Sequence, residues 1–189
     1  GFMKEQFEYL IDEFGVELVI NTEYAGKNNL HSMKLVSDHL ANAYVVPCDI
    51  WCDKNPFRTA ELYSWYMVSD LVDEQSDVRV NRKIVLTSQT AGNAMIGIAY
   101  LTAEDAALVT ERIVQLVEKA AYDDSFWEEA LYKKDRMIVA ARVVHACDVV
   151  EINTYEQLRD LDSDSEQLKS DAIAVIAKQL QADPKEIVE

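Results

Sequence analysis

The chain has 189 residues, 18 basic and 34 acidic side chains, and a formal net charge of −16. Its length suits one domain or one domain with an appendage, and its 49% hydrophobic content supplies a core, which excludes wholesale disorder. No basic arm is present to meet nucleic acid, no apolar run approaches the ~18–20 residues of a membrane span, and three cysteines point to free thiols in a reducing cytoplasm rather than a disulfide scaffold.

In chain order, Phe2, Met3, Phe7, Leu10, Ile11 and Phe14 fall at helical spacing, and Gly15 suits the left-handed position that ends a helix. The β-branched run Val16–Ile20 predicts a strand, and 21–28 a polar loop. Leu30, Met33, Val36 and Leu40 predict a helix over Asn29–Leu40. The nearly continuous apolar run Ala43–Val46 predicts a strand buried on both faces of a parallel sheet.

Strands are then predicted over Ser64–Val68, Lys83–Thr87 and Ala94–Leu101. Thr102 is placed to cap a helix whose apolar stripe is Leu108, Ile113, Leu116, Val117 and Ala120. Ser125 with Glu128, three residues on, has the pattern of a capping box opening a short helix to Tyr132. Met137–Val144 and Val149–Ile152 read as strands, and Thr154 with Gln157 as a second capping box. An acidic linker, Asp160–Glu166, leads to an amphipathic helix carrying Leu168, Ala172, Val175, Ile176 and Leu180, stopped at Asp183-Pro184. The expected class is α/β, a layered sheet flanked by helices, with ligands beyond the carboxyl ends of the strands.

Asp49 stands just past the Ala43–Val46 run. A carboxylate there can share Mg²⁺ with substrate phosphates; equally, an Asp at a turn can be satisfied by backbone N–H groups. Asn28, Asn29 and Ser32 mark a loop–helix junction, where amides read base edges or ribose hydroxyls or cap the helix. Trp51, Trp65, Tyr66, Tyr122, Phe126 and Trp127 sit near sheet edges or helix starts, with Glu128 and Glu129 adjacent. Aromatic faces beside carboxylates hold quaternary ammonium groups; the other reading is core aromatics with a capping Glu128. Cys48 and Cys52 lack Cys-x-x-Cys spacing and the three histidines lack ligand spacing. With five glycines, no two bracketing a single residue, a Gly-rich phosphate loop is excluded.

The segments EYAGKNNLHSMKLV, YVVPCDIWCDKNPF, SFWEEALY and VVEINTYEQLRDLD, in that order, resemble the phosphocholine cytidylyltransferase family. The resemblance implies a nucleotidyltransferase of GT-A, Rossmann-like fold that moves the cytidylyl group of CTP onto a phosphorylated amino alcohol such as phosphocholine, with Mg²⁺. It makes Asp49 the catalytic and metal-binding carboxylate, with Asn153 of the EIN segment as a second ligand. Asn28, Asn29 and Ser32 become nucleotide-binding, and Trp51, Tyr66, Trp127 and Glu128 substrate-binding. Val150 stands where the family carries an aromatic. The family's first strand and Gly-rich loop would lie ahead of Gly1, so the chain is expected to be part of a longer enzyme, with little activity alone. Residues 1–162 would form the transferase domain. Residues 163–189 would be a linker and helix leading toward an attached choline-kinase-like domain, since LKSDAIAVIAKQLQADPKEIVE resembles that joint. Homo-oligomerisation is compatible with this reading. The alternatives are a non-catalytic scaffold or oligomerisation domain, or a related transferase acting on a sugar phosphate or phosphonate.

Overall fold

Three long apolar strands form the spine of the molecule. The computed structural model describes residues 3–74, 76, 78–87, 91–162, 178, 179 and 181. β3 (Trp65–Asp73) pairs antiparallel with β6 (Gly92–Leu101) and parallel with β8 (Arg136–Val144). β1 (Ala43–Val45) lies against β6, and β5 (Ile84–Thr87) against β8. β4 (Val78–Asn81) pairs with β5, and the short β7 (Tyr132–Lys133) with β8. The order is β1-β6-β3-β8-β5-β4. β2 (Ile50–Cys52) and β9 (Val149–Glu151) form a separate two-stranded ladder.

Register explains the two cores. Val45, Ala99, Tyr66 and Ala141 are paired across four strands, and so are Tyr44, Tyr100, Trp65 and Ala140. Paired residues share a face and successive residues alternate, so the two rows face opposite sides. The Tyr66 side packs against Leu30 of α2 (Asn29–Leu35), against Ala106, Val109 and Ile113 of α3 (Ala103–Val117), and against Trp127, Ala130 and Leu131. The Trp65 side gathers Met67, Ile98 and Tyr100, with Tyr44, Ile50, Cys52 and Val149 around them.

The chain divides into two compact units, Gly1–Val150 and Glu151–Glu189. In the second, α4 (Tyr155–Leu161) starts on the Thr154–Gln157 capping box that the sequence predicts. The helix expected behind the acidic linker lies outside the described residues, apart from 178, 179 and 181. Among the described residues no helix is long and apolar enough to cross a membrane.

Several expectations need correction. Val16–Ile20 forms no strand; Val16, Val19 and Ile20 are exposed. β-Branched residues suit a pleated surface but do not supply a neighbouring strand to pair with. β1 is antiparallel to its partner β6, and ends the strand order. Its apolar run arises because Tyr44 and Val45 face different cores, a pattern that says nothing about strand direction. Asn29–Leu40 is shorter as an α-helix, ending at Leu35 before a 3₁₀ turn at Ser37–His39. Ser125 does not cap; Trp127–Leu131 is a 3₁₀ segment without a side-chain cap, because Glu128 is drawn inward to Tyr66. Thr102 caps α3 through Asp105 N, and Gly15 ends α1 (Tyr9–Phe14) at φ 65°, both as predicted.

Candidate active site

Asp49 sits in the turn between β1 and β2, half-buried. Its carboxylate has no hydrogen-bond or ion-pair partner among the described residues. The turn is fixed from beneath by Pro47. Gly97 has φ +88°, and a Cβ added there would lie 2.7 Å from Pro47 Cγ, so only glycine allows β6 to pass this close. A register shift between β3 and β6 spans this point, as an isolated strand glycine signals.

Beyond Gly97 a polar relay enters the helix-side core. Tyr66 is fully buried, its hydroxyl is close to the Gly97 backbone, and it donates to Glu128 Oε1 at 3.0 Å. Burial first, then the neighbouring Glu128 charge, pushes the Tyr66 hydroxyl well above its ordinary value of 10.0. Burial likewise raises the pKa of Glu128, outweighing the hydrogen bonds that lower it. Glu128 Oε2 is buried with no hydrogen-bond partner among the described residues. The Trp127 ring lies 6.4 Å from that of Tyr66 and is itself buried. Tyr66 and Trp127 are therefore walls of the core, with no ring face open to a ligand.

The start of α2 is tied to the segment at 123–127. Asn28 Oδ1 accepts from Asn29 N at 2.7 Å, and its Nδ2 donates to the Asp124 carbonyl at 3.1 Å. Asn29 Oδ1 accepts from Trp127 N at 2.7 Å. Below them His31 Nε2 lies 3.0 Å from Asp123 Oδ1 and is buried. Ser32 Oγ accepts from Asn21 Nδ2 at 2.9 Å. Asn28 thus acts as the N-cap, and Asn28, Asn29 and Ser32 also line a shallow open cavity of about 390 Å³ with Tyr24, Lys27 and Asp124. The opposite sheet face carries a second ionic cluster that sequence reasoning missed. Arg142 bonds Glu61 at 2.8 Å, stacks 3.5 Å over the Trp65 ring, and reaches the Pro56 carbonyl. Its residues lie far apart in sequence, and their long-range pairing has no local signature.

Trp51 is the exposed aromatic next to Asp49, in the middle of β2. Asn153 is exposed in the second unit, where its backbone N–H bonds Gln157 Oε1 at 2.7 Å. Among the described residues no group of three or more His, Cys, Asp or Glu converges as a metal site. One unpaired carboxylate at a turn fits a hard cation held largely by substrate phosphates, since Mg²⁺ commonly takes only one or two protein carboxylates.

Comparison with known proteins converges on one chemistry. The choline-phosphate cytidylyltransferase of Streptococcus pneumoniae is 31% identical over 175 residues, covering 86% of this chain and 74% of that protein. The 2-aminoethylphosphonate cytidylyltransferase of Lancefieldella rimae is 25% identical over 178 residues, covering 86% and 70%. The solved structure of the CTP:phosphocholine cytidylyltransferase of Streptococcus pneumoniae matches with a TM-score of 0.70 and 27% identity, over 86% of this chain and 75% of that one. No family model matches the chain.

Proposed function

This chain belongs to the choline-phosphate cytidylyltransferase family, and we propose that it transfers the cytidylyl group of CTP to a small phosphorylated amino alcohol or an aminoalkyl phosphonate. The observation that carries this reading is the relationship itself, which spans 86% of the chain, together with the likeness in fold. In the reaction an oxygen of the acceptor attacks the α-phosphorus of CTP in line. A new P–O bond forms as the bond to the bridging oxygen of pyrophosphate breaks. Asp49 would hold Mg²⁺, which supplies neutralisation of phosphate charge when bound. The chain's own part is positioning: Pro47 on Gly97 fixes the turn, and the half-buried carboxylate is left unpaired for the cation–substrate pair. Asn29 and Ser32, which line the open cavity at the start of α2, would meet the nucleoside.

The 2-aminoethylphosphonate relative makes a phosphonate acceptor the second reading. Both are tested by incubating the full-length protein with CTP, Mg²⁺ and either phosphocholine or 2-aminoethylphosphonate while pyrophosphate is followed. Release with phosphocholine supports the first reading, and release with the phosphonate alone the second. No release with either contradicts the proposal.

A further inference from the structure

Basic side chains crowd one corner of an otherwise acidic molecule. Arg79, Arg82 and Lys83 lie on the β4–β5 hairpin, and Lys133, Lys134 and Arg136 on the β7–β8 hairpin, a third of the chain's 18 basic residues. The register brings part of this set together. Arg79 pairs with Leu86, Leu86 with Arg136, and Arg136 with Lys133, and paired residues share a face. Their neighbours Val80, Val85, Tyr132 and Met137 pack into the helix-side core, so the cationic row faces the other side of the sheet. Arg79, Lys83, Lys133 and Arg136 form no ion pair among the described residues. Lys133 and Arg136 stand directly opposite each other, roughly 5 Å apart at Cβ, where like charges repel. Both hairpin turns place a basic residue, Arg82 at φ 59° and Lys134 at φ 62°, where Asn or Gly is the ordinary choice. Charge on an edge strand discourages stray pairing. That accounts for Arg79 on β4 but not for Arg136, because β8 lies inside the sheet.

Beside this row is a cavity of about 430 Å³, a size that falls within the roughly 300–1,000 Å³ of small-molecule sites. Lys83, Lys133 and Arg136 line it together with the apolar Ile84, Ile138 and Ala140, and no carboxylate does. It shares no residue with the Asp49 turn or with the cavity at the start of α2. We propose that this cavity is a separate, Mg²⁺-independent binding site for a compact, multiply charged phosphate, either inorganic pyrophosphate or the triphosphate of a nucleotide. Arg136 offers a fork of N–H donors to phosphate oxygens, and the two lysines add point charges. A bound anion also removes the repulsion between Lys133 and Arg136. A net charge of −16 works against nucleic acid or an anionic membrane, whose charge extends far beyond a cavity this small. The site stands whether or not the chain transfers cytidylyl groups.

The test is calorimetric titration of the full-length protein in EDTA with pyrophosphate, CTP and sulfate, alongside Asp49→Ala, Lys133→Glu and Arg136→Gln. Wild type and Asp49→Ala are expected to bind pyrophosphate equally, and sulfate about tenfold more weakly. Lys133→Glu and Arg136→Gln should each weaken pyrophosphate binding about tenfold. The thermal midpoint of free Lys133→Glu should hold or rise, because the substitution turns a repulsion into an attraction. CTP binding more tightly than pyrophosphate adds the nucleoside to the ligand; otherwise pyrophosphate is the ligand, and either order upholds the site. The proposal is overturned if wild type binds no pyrophosphate without Mg²⁺, if sulfate binds equally well, or if both charge variants keep wild-type affinity. Loss of binding in Asp49→Ala also overturns it, since the anion would then occupy the Asp49 site.

Discussion

Glu128 shows how one buried carboxylate couples position to pH. Burial is the largest influence on it and raises its pKa above the ordinary 4.5, against hydrogen bonds from its own backbone, Tyr66 and Trp127. The folded protein thus binds this proton more tightly than the unfolded chain does. The resulting stabilisation is complete below the ordinary value and is lost as pH rises through the higher folded value. Glu128→Gln keeps the shape and removes the titration. Denaturation midpoints from pH 4 to pH 8 should show the variant gaining on wild type as pH rises; a constant difference would show that Glu128 does not carry this linkage. Glu61 behaves in the opposite sense. Burial alone would raise it, but hydrogen bonds from Arg142 and Tyr44 prevail and lower it, so its contribution is lost only in acid. Arg142→Met leaves a nearly enclosed carboxylate without its cation, which costs about 3–5 kcal/mol, readable as a lower urea midpoint. A loss under about 1 kcal/mol would place the pair among weak surface bridges.

At the scale of elements, the Pro47–Gly97 contact connects fold to chemistry. Gly97→Ala forces a side chain into a left-handed backbone and against Pro47, two residues ahead of Asp49. The expected cost is about 1–3 kcal/mol, with a fall in turnover because the Asp49 turn shifts; thermal unfolding and kcat measure the two effects. An unchanged kcat would separate the turn's position from catalysis. Elements with a local physical cause were legible in the sequence. The Thr102 and Thr154 caps, the Gly15 terminus and the apolar cores of β3, β6 and β8 all follow from residues within a few positions. Those whose cause is remote were not. Val16–Ile20 has strand composition but no pairing strand among the described residues, β1 is antiparallel because of where β6 lies, and Glu128 leaves its capping pattern for Tyr66, 62 positions away in sequence. The register shift at Gly97 was missed although an isolated glycine in a strand run marks such sites.

At the scale of the whole molecule, four sequence blocks in a fixed order resembled the family to which the chain belongs, and the relationship spans 86% of it. Individual site residues were less legible, since the same amide can cap or bind and the same aromatic can fill a core or face a ligand. Burial separates these cases: Tyr66 and Trp127 are enclosed, Trp51 is not, and Asn28 spends its side chain on α2 and the Asp124 carbonyl. A net charge of −16 also sets a condition on the chemistry. An acidic protein repels free nucleotide, so CTP should arrive with its charge offset by Mg²⁺. The most direct measurement is pyrophosphate release from CTP and phosphocholine by the full-length wild-type protein and by its Asp49→Ala variant, with folding of both checked by circular dichroism. The account predicts Mg²⁺-dependent release by wild type and a loss of at least about a hundredfold in a folded variant. A folded Asp49→Ala protein that retains most of the wild-type rate would contradict it.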